Sequence, residues 1–469
     1  MGMESWWSKF ICNQALGQVD ECSALLQFKE SFAINKSVSA DPLAYPKVSF
    51  WMREGDGNRS NCCSWDGVEC DEDFGHVVGL DLRSSCLYGS INSSNTLFRL
   101  VHLQRLDLSD NHFNFSQLPS RFGDDLSSLT YLNLSNSLFF GEIPSEISML
   151  SKLSTLDLSF NSLKLYPDIF PLKLTKGNMR SLVQNLTNIK QLHLSWVDIY
   201  STVPDILVNA SSLTSLQLDS CGLNGEFPVG IFHLPNLEVL DVNGNSNLTG
   251  YFPNFNRSNA LKKLNVRATN FSGMLPASMG NLTQLSFLDL GGNEITGQIP
   301  SWLMNLTQLT TLYLTGNNLS GAIPRSLFQL QNLEFLDLSS NSLSGQVEFD
   351  QFSQLKKLKD LRLSYNKLSL QIITNLSATI PQLELLRLSS CNLTEFPEFL
   401  KYQSKLRELH LSNNNIQGRI PKWVWNATRE TLLTLGLYSN FLTGFDQNPI
   451  NLPWQNLYSL DLRTNMLQG

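Results

Sequence analysis

The stretch Leu285-Ser-Phe-Leu288-Asp-Leu290-Gly-Gly-Asn293-Glu-Ile295-Thr-Gly297-Gln-Ile299-Pro300 returns 24 residues later as Leu309-Thr-Thr-Leu312-Tyr-Leu314-Thr-Gly-Asn317-Asn-Leu319-Ser-Gly321-Ala-Ile323-Pro324. A fixed period of this length marks a chain built from stacked copies of one unit. Taking the leucine that opens each Leu-x-Leu pair as a marker gives Leu192, Leu216, Leu240, Leu264, Leu288, Leu312 and Leu336, each 24 after the last. The series extends upstream through Leu156, Leu132, Leu106 and Leu80. Downstream it continues through Leu361, Leu386, Leu409, Leu435 and Leu460, giving sixteen units with the last incomplete at Gly469.

Alternation in Leu-x-Leu predicts a short strand with one buried face. The leucines point inward, and the x residues, Asp289 among them, point to solvent. Asparagine recurs five residues after the marker, at Asn111, Asn161, Asn293, Asn317, Asn341, Asn366, Asn414, Asn440 and Asn465. A buried amide there can serve backbone groups of its own turn and the next one. Leu-x-Gly-x-Ile-Pro then places glycine where the chain must bend and proline where a ladder donor is missing. One unit cannot bury its own leucines, so neighbours must stack, with their strands forming one parallel concave sheet. Residues 76–469 are expected to be a single domain. The step from Leu156 to Leu192 is 36, longer than the rest, and carries Tyr166, Pro167, Pro171, Lys173, Lys176 and Arg180. It reads either as a tolerated surface insertion or as a protrusion beside a binding face.

Composition narrows the function. Across 469 residues, 34 Lys and Arg against 41 Asp and Glu leave a net charge of −7, which lacks the basic footprint of a nucleic-acid binder. No apolar run reaches the roughly 18 residues of a membrane span. Cys12, Cys22, Cys62, Cys63, Cys70 and Cys86 crowd the first fifth, whereas Cys221 and Cys391 stand alone. Clustered cysteines without paired metal-ligand spacing predict a disulfide-stapled cap over residues 22–75, with no metal. Residues 1–21 lack the apolar core of a secretory leader and read as a leader remnant or a mispredicted N-terminus.

Catalytic constellations are missing from the sequence. His76, His102, His112, His193, His233 and His410 form no H-E-x-x-H pair, and neither a nucleophile elbow nor a phosphate loop occurs. Asp71, Glu72 and Asp73 lack calcium-loop spacing and read as a solvated turn. No enzyme and no cofactor are expected. Sequons begin at Asn35, Asn58, Asn92, Asn114, Asn133, Asn185, Asn209, Asn247, Asn256, Asn270, Asn281, Asn305, Asn318, Asn375, Asn392 and Asn426, a density that favours passage through the secretory pathway.

Taken together, Leu-x-Gly-x-Ile-Pro in a 24-residue period resembles the plant extracellular leucine-rich repeat. Cys22-Ser-Ala-Leu-Leu-Gln-Phe-Lys29 and Asn61-Cys62-Cys63-Ser-Trp65-Asp-Gly67-Val68-Glu-Cys70 resemble the cap of that family. The doubled cysteine and the long step resemble the receptor-like proteins, kinase-less surface receptors that include fungal-resistance proteins. The resemblance implies a leucine-rich-repeat solenoid of α/β-type horseshoe or superhelix form, with Cys22 paired to Cys62 and Cys63 to Cys70. In that consensus cysteine can replace the turn asparagine, so Cys221 and Cys391 are expected to be free structural thiols. The resemblance further implies a peptide or protein ligand and a leucine-rich-repeat receptor kinase as adaptor or co-receptor. Its implied location is the extracellular side of the plasma membrane, in a single-pass parent of which this chain would be a truncated piece, or secretion if it is a genuine short form. The alternatives are a secreted inhibitor of a pathogen cell-wall hydrolase, similar to polygalacturonase-inhibiting proteins, and a developmental receptor-like protein.

Recognition is expected on the concave face, where arginine and aromatic side chains are the usual energetic anchors. Lys263, Arg267, Tyr313, Arg362, Tyr365, Arg387, His410 and Tyr438 are the residues expected to contact a ligand, with His193 and Trp196 further upstream. A glycan on Asn133 would cover the sheet near the third repeat and leave the later residues as the contact surface.

Overall fold

Each marker leucine sits at the centre of a short parallel strand, beside the marker of the neighbouring repeat. A computed structural model of the chain describes residues 20–52, 61–162, 172–257, 259–371, 380–446 and 454–468. Cys12, Asn58, Tyr166, Pro167, Pro171, Asn375 and residues 1–19 of the expected leader lie outside them. The fold divides into two units, one running to Leu237 and including Gly244–Leu248, the other made of Glu238–Asn243 and Thr249 onward. In the first unit the markers pair in sequence from Leu80 through Leu106, Leu132, Leu156 and Leu192 to Leu216. In the second, Leu240 pairs with Leu264, and the register continues without a slip to Leu460. Fifteen of the sixteen markers are buried among other apolar side chains, and the last, Leu460, is partly exposed.

The asparagine turn holds these coils together. Asn317 donates from Nδ2 to the carbonyls of Leu314 at 3.1 Å and Thr315 at 3.3 Å in its own turn, and to Leu290 at 2.8 Å in the coil before. Its Oδ1 accepts from Ile295 N at 3.0 Å, again in the coil before. The amide therefore reaches back to the preceding coil, not on to the next one. Asn111, Asn161, Asn293, Asn341, Asn366, Asn414, Asn440 and Asn465 repeat the pattern, and Asn245 joins them. Cys221 and Cys391 occupy the same position as buried free thiols, and Cys221 Sγ lies 3.1 Å from the Leu194 carbonyl. Burial pushes the Cys391 thiol up to about 12. Thiols so protonated are poor nucleophiles.

Where it is Asp107, Asp241, Asn265, Asp289 or Asp337, the residue directly after the marker is buried and is not the solvent position that alternation predicts. Asp289 is only 4% exposed, and its Oδ1 accepts from Gly291 N at 2.9 Å. Asp81, Asp107, Asn133, Asp157, Asp241, Asn265, Asp337 and Asp461 make the same bond to the N–H two residues on. This Asx turn leads the chain out of the strand. Burial raises the Asp289 pKa, with the Gly291 N–H and Arg267 opposing it.

Away from this sheet, glycine and proline act as the sequence suggests, with one refinement. Gly297 has φ +90°, a left-handed conformation that an L side chain resists. Pro276, Pro300 and Pro324 are N-cap residues of 3₁₀ turns at Ala277–Asn281, Ser301–Asn305 and Arg325–Gln329. A second, smaller parallel ladder runs between strand and turn through Asn270–Met274, Glu294–Gln298, Asn318–Gly321, Ser342–Glu348 and Lys367–Gln371. The long step after Leu156 is taken up partly by an α-helix, Lys176–Asn185, which buries Met179, Leu182 and Val183.

At the N-terminal end, a helix over 20–30 buries Cys22, Ala24, Leu25 and Phe28. The structure pairs Cys22 with Cys62 and Cys63 with Cys70, while Cys86 is free and buried. Trp51 stacks on Trp65 at 5.4 Å, and Val68–Cys70 runs antiparallel to Val77–Asp81. At Gly67 (φ +80°) a Cβ would lie 2.3 Å from the Asp81 carbonyl oxygen, so only glycine lets this strand dock.

Replacing Asn317 with alanine strands buried carbonyls and one N–H, each worth about 1–3 kcal/mol when unsatisfied. Urea denaturation should show Asn317→Ala destabilised by about 2–4 kcal/mol. Asp289→Ala should lose about 1 kcal/mol through its turn bond. A null effect at Asp289 would return that side chain to solvent.

Candidate functional site

Register places the residues one step after each marker in a single row along the second unit. From Asp241 the row reads Asn265, Asp289, Tyr313, Asp337, Arg362, Arg387, His410, Gly436 and Asp461. Wherever the row holds Asp or Asn, the side chain makes the turn bond described above. Four consecutive repeats, at Arg362, Arg387, His410 and Gly436, give it up. Arginine has no acceptor and glycine no side chain, so the turn forgoes a bond worth about 1 kcal/mol at such positions. At Arg387 the Ser389 N–H is taken instead by Ser364 Oγ at 2.9 Å.

The side chains at these four repeats form one cluster. Arg362 forks onto Asp360 with Nε–Oδ1 at 2.9 Å and Nη2–Oδ2 at 2.6 Å, and Asp337 stands 3.9 Å away. Burial raises the Asp360 carboxyl above its usual range, although Arg362 opposes the shift. Arg387 Nη2 meets Glu408 at 2.9 Å, while its buried Nε has no hydrogen-bond partner. His410 lies 3.9 Å from the same Glu408. A Cβ on Gly436 would fall 2.7 Å from His410 Nδ1, so this glycine makes room for the imidazole. Tyr365 and Tyr438 join hydroxyls at 3.3 Å, and Asn413 donates to Tyr438 at 2.6 Å. The hydrogen bond to Tyr438 is the first cause raising the Tyr365 phenol pKa.

Tyr365 occupies a special backbone position. Four residues after every marker φ is positive, filled by Gly244, Gly292 and Gly316 in some repeats, but by Phe160, Trp196 and Tyr365 in others. Bulky residues resist this conformation at a cost of about 1–3 kcal/mol. Tyr365 is nevertheless half exposed, presenting its ring beside Arg387 and Tyr438 instead of filling a core.

Lys263, Arg267 and Tyr313 stand apart from that cluster. Lys263 pairs with Asp241 at 2.8 Å and lies over the Phe287 ring, Tyr313 meets Phe287 edge-on, and Arg267 sits 3.6 Å from Asp289. In the first unit, His193 Nε2 is 2.8 Å from Ser215 Oγ, and Trp196 lines a shallow cleft with Asp198, Tyr200 and Asn247. The sequence reading missed Asp360, Glu408, Asn413 and Gly436. Three of them hold the arginines or Tyr438, and the fourth opens space for His410.

Among the sequons, Asn35, Asn92, Asn114, Asn185, Asn209, Asn247, Asn256, Asn270, Asn305, Asn318, Asn392 and Asn426 are exposed. Asn133 and Asn281 are half-buried. Asn133 Oδ1 accepts from Ser135, and Asn281 Nδ2 donates to the Phe255 carbonyl at 3.0 Å.

Coils of this composition and register define a leucine-rich-repeat protein, and the comparisons agree. The "Leucine-rich repeat region" family model matches residues 251–446, and "Leucine Rich Repeat" matches 102–124 and 128–150. Receptor-like protein 6 of Arabidopsis thaliana is 39% identical over 285 residues, 58% of this chain and 27% of that protein. Receptor-like protein Cf-9 of Solanum pimpinellifolium is 38% identical over 294 residues, 59% of this chain and 32% of that protein. The chain thus matches about a third or less of the length of these relatives. The crystal structure of the Arabidopsis receptor kinase HAESA in complex with the peptide hormone IDA and the co-receptor SERK1 aligns with a TM-score of 0.54 and 25% identity, over 95% of this chain and 86% of that one. The chain is a leucine-rich-repeat protein whose sequence is similar to the plant receptor-like proteins. Among the described residues no helix is long and apolar enough to cross a membrane.

Two outcomes follow from this geometry. Because asparagine tolerates positive φ, Tyr365→Asn should keep the melting temperature or raise it, so a clear loss would assign Tyr365 a packing role. Burial, and secondarily the Arg387 charge, hold the His410 pKa below its ordinary 6.5, with Glu408 opposing. The fold therefore favours neutral His410. Its contribution is complete above pH 6.5 and is lost as pH falls from there toward the folded value. His410→Gln should flatten the stability slope between about pH 7 and 5, measured by urea titration at each pH.

Proposed function

We propose that this chain is the ligand-recognition part of a plant cell-surface receptor-like protein of the defence type. It takes a peptide or protein ligand on the exposed face of the second unit's sheet and signals through a partner leucine-rich-repeat receptor kinase. The reading is one of binding, without catalysis. The observation that carries it is the run of four repeats that abandon the turn-forming Asp or Asn. A fold gives up a local stabilising bond where another use competes for the position. The substitutes are two arginines, a histidine and a glycine that seats the histidine, with Tyr365 and Tyr438 beside them. Residues of these types serve as binding anchors. Arg387 Nε adds a buried donor without a hydrogen-bond partner.

HAESA, a structural neighbour, is bound in its crystal to a peptide hormone and a co-receptor, which supports the same division of labour here. The resemblance to fungal-resistance proteins supports defence over development. The similarity to receptor-like proteins and the exposed sequons support extracellular placement at the plasma membrane.

A random-peptide display library panned on the folded chain tests the surface. Enriched peptides should lose about 1–2 kcal/mol of binding, some 5- to 30-fold, when Arg362, Tyr365, Arg387 or Tyr438 is replaced singly by alanine. Normal binding by all four variants, with loss in His193→Ala or Trp196→Ala, would move the site to the first unit.

A further inference from the structure

We propose that Glu21, His76 and His102 form a divalent-cation site, suited to zinc, where the cap meets the first repeat. The three residues offer one carboxylate oxygen and two imidazole nitrogens, all within 4.8 Å of one another. They come from three separate segments: the cap helix, the loop leading into the first strand, and the stretch before the second strand. Imidazole and carboxylate are zinc ligands, and three protein ligands with an open fourth position is a common zinc arrangement.

The geometry fits such an ion. Zinc–nitrogen distances near 2.0–2.1 Å put two ligands of a tetrahedral ion about 3.4 Å apart. Glu21 Oε1 and His76 Nδ1 are separated by 3.4 Å. His76 Nδ1 is itself buried without a hydrogen-bond partner, a state that costs free energy unless something meets the nitrogen. Glu21 is 6% exposed, and its other oxygen accepts from Val77 N at 2.9 Å, fixing the carboxylate. The disulfide from adjacent Cys22 to Cys62 anchors the helix that carries it. Asp71 accepts from His76 N at 2.9 Å and positions that loop. His102 stacks on His76 with ring centres 4.0 Å apart and is exposed, so its ring can turn to complete the set while water takes the fourth position. A bound ion would strap the cap helix to the first repeats.

The competing account is a plain Glu21–His76 ion pair with a stacked neighbour. Calorimetric titration of the whole disulfide-bonded chain with zinc chloride separates the two. One saturable zinc per chain is expected, with affinity reduced at least about tenfold in His102→Ala and in Glu21→Gln and unchanged in His233→Ala. Exposed His102 can be removed without a folding penalty, and circular dichroism of each variant checks this. Cobalt(II) should give visible ligand-field bands that His102→Ala loses. Absence of saturable binding, or equal binding by parent and His102→Ala, overturns the site.

Discussion

The buried turn amide is the interaction on which the rest of the structure depends. A three-residue strand offers too few ladder bonds to fix its neighbour, and each turn leaves carbonyls facing the interior. One asparagine collects two of those carbonyls in its own coil and one from the coil before, and returns an acceptor to that same coil. Four bonds from one side chain weld coil to coil at the place where the chain leaves the sheet. Where threonine, serine or cysteine replaces asparagine, the substitute retains part of this role, whereas Val197 retains none. Thr269 Oγ1 donates to the Val266 carbonyl, and Ser137 Oγ reaches back to Leu108. Cys221 does so through sulfur.

With the backbone satisfied inside each coil, the outward positions of the strand are free to diverge. That freedom is bounded by the Asx turn one residue after the marker. Buried carboxylates there are costly to desolvate and persist because a backbone N–H meets them. The same row therefore has two uses in the second unit. Up to Asp337 it mostly serves the turn, and from Arg362 to Gly436 it serves the surface. Charge follows the change: mainly acidic over the first stretch, then basic over the second, with Asp360 and Glu408 holding the arginines in place.

Periodicity made the strands legible because it is a one-dimensional property. Within each unit the marker leucines align in one register, from Leu80 to Leu216 and from Leu240 to Leu460. Asp289 was misread for a related reason. Period-2 alternation assigns a face but cannot tell a solvent position from one closed over by its own turn. The left-handed residue four steps after the marker was equally hidden, since serine, glycine, asparagine, tyrosine and tryptophan share no sequence pattern. Glu21, His76 and His102 have no common period at all. They converge because the disulfide brings the cap helix against the first coil, a constraint that spacing in sequence does not carry.

Tyr365 and Trp196 show how the scaffold sets limits on its own surface. The position they occupy is strained for any bulky residue, so a repeat scaffold selected for stability alone would place glycine or asparagine there, as most neighbouring repeats place small residues. At Tyr365 a large ring stands at the exit of the strand, fixed by a backbone that the neighbouring Asn366 has already locked. Such a ring needs little further ordering to meet a ligand, and the entropy usually lost in fixing an interface side chain is reduced. The strain is met once, in folding, and the rigidity is available at every encounter. Tyr365 reaches Tyr438 across the intervening repeats, extending this rigidity over the same four repeats whose row has turned from acid to base.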